Sequence, residues 1–354
     1  MILAKNFFNK SKIIPVDEFF QNVLFDKTKG YYSSKIPLGL KGDFITSPGI
    51  SNLFSEIISI WIVSVWETFK KPKTFNLIEL GPGDGKLSKV LIETLKKFPE
   101  INKSINIFLY EKSKILKKVQ KKKLNNKNIK WINNFNSIKK GPTIFVGNEF
   151  FDAIPIKQFS KIGKTFYEKC YTLNKNNKIK EIFKKVSPST IKELKKFKSI
   201  KNQKFIEFPK LGFMELKKIL RKIHKSGGGI LLIDYGYLNQ SNKDTLQSVF
   251  KHKKNSLLKN LGKADITYLV NFKLLKEYFI KENLVVKKVV SQKFFLEKMG
   301  ILERANNLSK KMSFKEQSDL YYRLKRLLDP KLMGSLFKVI FAYKFDKHNF
   351  FGFK

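Results

Sequence analysis

The chain is poor in the residues that build disulfide, thiolate and metal chemistry. It has one cysteine, Cys170, in 354 residues, so no intramolecular disulfide framework and no multi-thiolate site can form. Its three histidines, His224, His252 and His348, are too scattered to suggest a metal cluster, and no metal is expected. Acidic residues are scarce: 29 Asp and Glu face 72 Lys and Arg, a net charge of +43. Arginine is scarce as well. Arg221, Arg304, Arg323 and Arg326 are the whole set, and every other cation is lysine. Readers of phosphates and base edges favour the planar guanidinium fork, and these lysines are spread along the chain instead of gathering in a tail. The pattern points to compositional drift toward lysine and argues against a dedicated nucleic-acid module. It still implies weak, salt-sensitive, non-specific binding to polyanions.

Long hydrophobic runs are also missing. A bilayer span needs roughly 18 apolar residues, and the longest candidate, Ile57 to Trp66, is interrupted by Ser59 and Ser64. The opening residues, Met-Ile-Leu-Ala-Lys-Asn-Phe-Phe, carry neither a signal-peptide core nor an Arg-rich presequence. The expectation is a bacterial cytoplasmic protein without a membrane span, not a mitochondrial-matrix one.

What is present is enough for a core. Hydrophobic residues make up 42% of the chain, which excludes a disordered composition. The length allows one large domain or two ordinary ones. Residues 15–27 read as an amphipathic helix, 30–48 as a loop, and 50–69 as a helix with a strongly apolar face. The rhythm then changes. Phe75–Leu80 reads as a buried strand, followed by the cluster Gly81-Pro82-Gly83-Asp84-Gly85 and a helix over Lys86–Phe98. Strands follow at Ile105–Tyr110, Ile129–Ile132 and Thr143–Gly147, with a lysine-rich helix over 112–123. Strands alternating with helices predict a parallel sheet with crossover connections. Residues 156–186 break the alternation and read as an inserted antiparallel meander. A helix over 210–225 leads to a buried strand at Ile230–Ile233, and 238–262 reads as polar loop. Helices are expected at 272–282 and 314–328, with strands at Val285–Val290 and Leu336–Phe345. The corresponding segments are an N-terminal helical lid (1–70), a cofactor-binding half (71–155), the inserted meander and helix (156–226), and a second half (227–354) with a substrate-side insertion at 238–283.

The glycine cluster carries the first chemical signal. Glycines at the first strand–helix turn let a nucleotide-like ligand approach the backbone and expose N–H groups at a helix start. A dinucleotide fingerprint would need glycine at position 86, where Lys86 stands. The spacing is instead Gly81, Gly83, Gly85, preceded by Glu79. This E-x-G-x-G-x-G pattern resembles the first motif of class I S-adenosylmethionine (SAM) methyltransferases. Glu111 closes the second strand, where a carboxylate can accept hydrogen bonds from two ribose hydroxyls side by side. Glu79 and Asp84 are candidate acids near the cofactor's sulfonium.

Further blocks resemble one family within this class, the MidA-like methyltransferases. They are Gly42-Asp43-Phe44-Ile45-Thr46-Ser47-Pro48, then Asn148-Glu149-Phe150-Phe151-Asp152-Ala153-Ile154-Pro155, and Asp234-Tyr235-Gly236-Tyr237. Weaker similarity extends to Asp244-Thr245-Leu246-Gln247, Ala264-Asp265-Ile266-Thr267 and Met333-Gly334-Ser335-Leu336-Phe337-Lys338. The resemblance covers roughly residues 15–345. It implies a doubly wound, Rossmann-like α/β sheet, mostly parallel with an antiparallel last strand, and SAM as cofactor. It also implies methyl transfer to a protein, with an arginine of a respiratory complex I core subunit as the acceptor in mitochondrial relatives. Gly42, Asp43, Thr46 and Ser47 then belong with the cofactor site. Asn148, Glu149, Asp152, Asp234 and Tyr235 fall at strand ends, where they can orient an acceptor and receive its proton. Two departures stand out. Gly49 replaces a glutamate usual in the family, and Gly262-Lys263 stands where a proline is common. An RNA methyltransferase and a catalytically inactive assembly chaperone of the same fold are the competing readings.

Overall fold

The computed structural model describes residues 4–8, 11–34, 43, 45–125, 128–239, 242–346 and 348–354. By internal contacts the chain forms two compact units. One comprises residues 45–150, 218–236 and 279–354; the other comprises 1–44, 151–217 and 237–278.

The first unit is built on seven principal strands: β1 (Phe75–Leu80), β2 (Ile105–Tyr110), β3 (Ile129–Ile132), β4 (Thr143–Asn148), β5 (Gly228–Tyr237), β6 (Val285–Val286) and β7 (Phe337–Lys344). Their order is β3-β2-β1-β4-β5-β7-β6. β3 to β5 run parallel, and β7 pairs antiparallel with both β5 and β6. The doubly wound sheet with an antiparallel last strand is therefore present as expected. The order reverses between β1 and β4, the switch point outside whose carboxyl ends open α/β sheets place ligands.

Burial explains the strand choice. All six residues of β1 are buried, as a central parallel strand covered on both faces requires. Helix α1 (Asn52–Thr68) begins where the Ser51 hydroxyl accepts the Leu53 N–H. It buries Trp61 edge-to-face on Phe341 of β7. Helix α2 (Lys86–Leu95) stops short of the expected Phe98. Pro99 starts a separate short helix, and the residue before a proline is pushed out of the helical region. Helix α3 (Lys114–Leu124) is capped by the Ser113 hydroxyl and ends at Asn125 in a left-handed conformation.

The second unit contains the expected meander. Lys157–Ile162, Thr165–Leu173 and Ile179–Lys185 pair antiparallel in sequence order. Two strands unforeseen in the sequence extend it: Ile13–Pro15 beside Thr165–Leu173, and Phe205–Phe208 beside Lys157–Ile162. Phe19, Phe20 and Tyr171 pack together in its core. Residues 238–262 are not simply a loop. Gln247–Phe250 and Lys253–Asn255 form a hairpin, and Asp265–Thr267 adds a third strand. The expected strand Val285–Val290 is two short pairings, Val285–Val286 and Val290–Ser291, both against β7.

Candidate active site

In the sheet-bearing unit, the β1–α2 connection places Gly81, Gly83 and Gly85 at φ of 60°, 56° and 78°. L-residues with a side chain rarely adopt this left-handed region, so the three glycines are there for the backbone path. A Cβ at Gly81 would also meet the Phe150 ring at 3.1 Å. The loop is tied down from α3. The fully buried Gln120 donates to the Gly83 carbonyl (2.8 Å) and to Glu111 Oε2 (3.1 Å), and its own oxygen accepts the Trp131 indole N–H (2.9 Å).

Glu111 sits where the sequence places it, directly after β2. Burial raises its carboxyl above the usual range, and N–H groups from Ser113 and Gln120 oppose that shift. Each carboxylate oxygen takes one of these hydrogen bonds. The Lys112 N–H is a third donor to the same carboxylate, which has about four acceptor positions, so room is left for about one hydroxyl of a diol. Glu79 is buried and receives the Ser88 hydroxyl. Burial, with Asp84 and Glu111 nearby, pushes it up to about 7. Asp84 is paired with Lys123 at 2.5 Å and accepts the Lys86 N–H at 3.1 Å.

Glu149, just past β4, is a non-glycine residue at φ 51°, a conformation that costs energy and tends to mark functional positions. Its Oε1 accepts the Asn148 amide (3.1 Å) and the Ser47 backbone N–H (3.0 Å). The Asn148 Oδ1 is buried without a hydrogen-bond partner among the described residues. Thr46 precedes the helical turn Ser47–Ile50 in the same unit. Asp234 is buried and accepts the Tyr235 N–H at 3.0 Å, while the Tyr235 ring packs edge-to-face on Phe337.

The remaining site candidates lie in the second unit. Asp43 is buried and accepts the Tyr31 hydroxyl (2.7 Å) and the Lys251 N–H (2.6 Å). Asp152 is buried as well. Sequence reasoning passed over their neighbour Asp265. It is buried and bonded to the Tyr32 hydroxyl at 3.1 Å. It is pushed up to about 7 by burial first and by the nearby Asp152 and Asp43 carboxyls. The weakly matching Ala264–Thr267 block was the available signal. Gln120 had a subtler one: it is an uncharged polar residue four positions after Leu116 on the inward face of a lysine-rich helix. Gly42 lies outside the described residues.

The sheet-bearing unit thus carries left-handed glycines after β1, a buried acid after β2 and the strand order β3-β2-β1-β4-β5-β7-β6. Residues 57–290 match the family of S-adenosyl-L-methionine-dependent methyltransferases. The chain belongs to this MidA-like methyltransferase family. It is 29% identical to the mitochondrial protein arginine methyltransferase NDUFAF7 of Xenopus laevis, over 92% of this chain and 80% of that protein. It is 30% identical to the NDUFAF7 homologue of Caenorhabditis elegans, over 83% of this chain and 75% of that protein. A crystal structure of a Burkholderia thailandensis protein bound to S-adenosyl-homocysteine shares its fold. The TM-score is 0.82 at 19% identity, covering 99% of this chain and 91% of the other. This methyltransferase is thus SAM-dependent, and its own geometry fits the cofactor: the three loop glycines hold left-handed φ values, and the buried Glu111 carboxylate keeps an acceptor position. Among the described residues no helix is long and apolar enough to cross a membrane.

Proposed function

We propose that this methyltransferase modifies a protein arginine, with a subunit of a respiratory complex as the substrate class, and that it acts in the cytoplasm. The observation that carries the reading is Glu149. It is a carboxylate at the end of β4, held in a strained backbone conformation and fixed by the Asn148 amide and the Ser47 N–H. The names of the relatives, protein arginine methyltransferases, support the acceptor.

The chemistry follows from the acceptor. A guanidinium is a planar cation with several N–H donors and is a weak nucleophile while protonated. Bound SAM supplies a methyl group on a sulfonium, whose carbon–sulfur bond breaks as the nitrogen–carbon bond forms. Glu149 accepts N–H groups of the guanidinium, holds one nitrogen in line and takes its proton; the sequence block Asn148–Pro155 assigns Asp152 to the same task. Asn148 orients Glu149 and presents its free oxygen to a donor. In this reading Asp234 and Tyr235 complete the acceptor side, while Gly81, Gly83, Gly85, Glu111, Glu79 and Asp84 hold the cofactor with Thr46 and Ser47.

One observation favours the RNA reading. A groove of about 900 Å³ in the sheet-bearing unit is lined by Lys140, Lys218, Arg221, Lys222 and Lys225. Its aromatics, Tyr110 and Phe135, are nearly buried, so they offer little face for stacking bases. Incubation with methyl-labelled SAM and a lysate from cells lacking the enzyme separates the readings. Label in methylarginine, removed by protease and not by nuclease, is expected. Glu149→Gln and Asp152→Ala should each lower transfer at least 100-fold while SAM affinity stays within about twofold. Label in RNA would overturn the protein reading, and unchanged transfer in both variants would overturn these residue roles.

A further inference from the structure

The first residue of α2, Lys86, is half-buried, and its obvious partner is already taken: the Asp84 carboxylate is held by Lys123 at 2.5 Å. The Lys86 ammonium instead donates to the Gly49 carbonyl at 3.1 Å. Gly49 lies in a tight turn. Its N–H and that of Ile50 both return to the Thr46 carbonyl, at 2.7 and 3.1 Å. The next residue of this turn, Ser47, is completely buried. Its backbone N–H donates to Glu149 Oε1 at 3.0 Å, and its hydroxyl reaches Gln292 at 3.4 Å. The turn is therefore gripped at one end by a residue of the glycine-loop helix and bonded at the other to the carboxylate after β4. There is little slack between the grips, since a Cβ at Gly49 would press to 2.9 Å from Ile45 Cγ2.

We propose that Lys86 is a positioning residue for methyl transfer. It clamps the Thr46–Ser51 turn so that the Ser47 N–H keeps the Glu149 carboxylate aimed, and thereby sets the transfer rate without touching either substrate. An ammonium on a carbonyl is a charge-assisted hydrogen bond, stronger than the turn's own neutral ones. Glu149 occupies a left-handed backbone, so its carboxylate direction depends on such outside anchors. A small misplacement of an orienting group costs up to ~100-fold in rate. The inference rests on the reading of Glu149 as an acceptor-orienting carboxylate.

The test uses the full chain with Lys86→Met, which keeps the aliphatic stem and removes the donor, and Lys86→Arg, which restores a cationic donor. Amide hydrogen exchange over Thr46–Ser51 should speed up about tenfold in Lys86→Met and stay near the parent rate in Lys86→Arg. With labelled SAM and lysate protein, Lys86→Met should lower kcat about tenfold with the KM for SAM within twofold, and Lys86→Arg should recover most of the loss. Unchanged exchange in Lys86→Met, or a loss confined to the KM for SAM, would overturn the proposal. A parent that transfers no methyl to protein, combined with the expected exchange pattern, would count against the arginine reading and leave the clamp standing.

Discussion

The Gln120 amide binds Glu111 Oε2 at 3.1 Å while the same nitrogen holds the Gly83 carbonyl at 2.8 Å. One side chain thus sets the distance between the acid after β2 and the turn after β1, two features that lie far apart in sequence. Gln120→Leu fills similar space but removes the partner of the buried Glu111 carboxylate and of two half-buried groups, the Gly83 carbonyl and the Trp131 indole N–H. Each buried group left without a partner costs ~1–3 kcal/mol. The expected outcome is a loss of stability of a few kcal/mol and at least tenfold weaker SAM binding, read by urea denaturation and calorimetry. A stable variant with parental SAM affinity would show that the tie is dispensable.

Glu79 gives the fold a pH dependence of definite sign. Burial pushes its carboxyl up to about 7 in the folded chain, from an ordinary value of 4.5. Between these values the folded protein holds the proton and the unfolded chain releases it. Stability therefore falls as pH rises through this window and levels off above it. At ~1.4 kcal/mol per unit, the contribution is on the order of 3 kcal/mol. Glu79→Gln cannot ionise, so its stability should fall less than the parent's between pH 5 and 8. Equal changes in parent and variant, measured by urea denaturation, would contradict this.

Two glycines with the same φ separate backbone strain from site geometry. Gly81 and Gly163 both sit at φ 60°. A Cβ at Gly163 would meet open space, whereas one at Gly81 would lie 3.1 Å from Phe150. An alanine in this region costs ~1–2 kcal/mol. Gly163→Ala should show only that cost, with SAM affinity unchanged. Gly81→Ala should show a larger fall in Tm and at least tenfold weaker SAM binding. Parallel melting curves and calorimetry check both.

The parts of this enzyme legible in its sequence are those with a single physical explanation. β1 and β4 are short apolar runs ending in punctuation, and only a buried parallel strand suits them. Gly81, Gly83 and Gly85 announce a left-handed turn, and Glu111 follows its strand by simple counting. The illegible parts depend on partners distant in sequence. Ile13–Pro15 and Phe205–Phe208 are too short to register alone and are strands because the meander offers them edges. The hairpin at Gln247–Asn255 is hidden by lysines and asparagines, which read as loop. Helices Gln292–Lys298 and Ile301–Ser309 were passed over for the same reason: each is short, and its apolar face makes sense only against the core it covers. Asp265 and Lys86 show the same limit in the site. Only the weakly matching Ala264–Thr267 block marks Asp265 and nothing local marks Lys86; each acquires its environment from residues far along the chain.

Calorimetric titration with SAM, of the parent and of Gly83→Arg, tests the central claim most directly. An arginine at position 83, where φ is 56°, would place a long side chain at a left-handed position of the loop proposed to hold the cofactor. The expected result is saturable one-site binding by the parent and none by a variant that remains folded by circular dichroism. A folded parent that does not bind SAM, or a variant that binds it as well as the parent, would contradict the assignment of the glycine loop as the cofactor site.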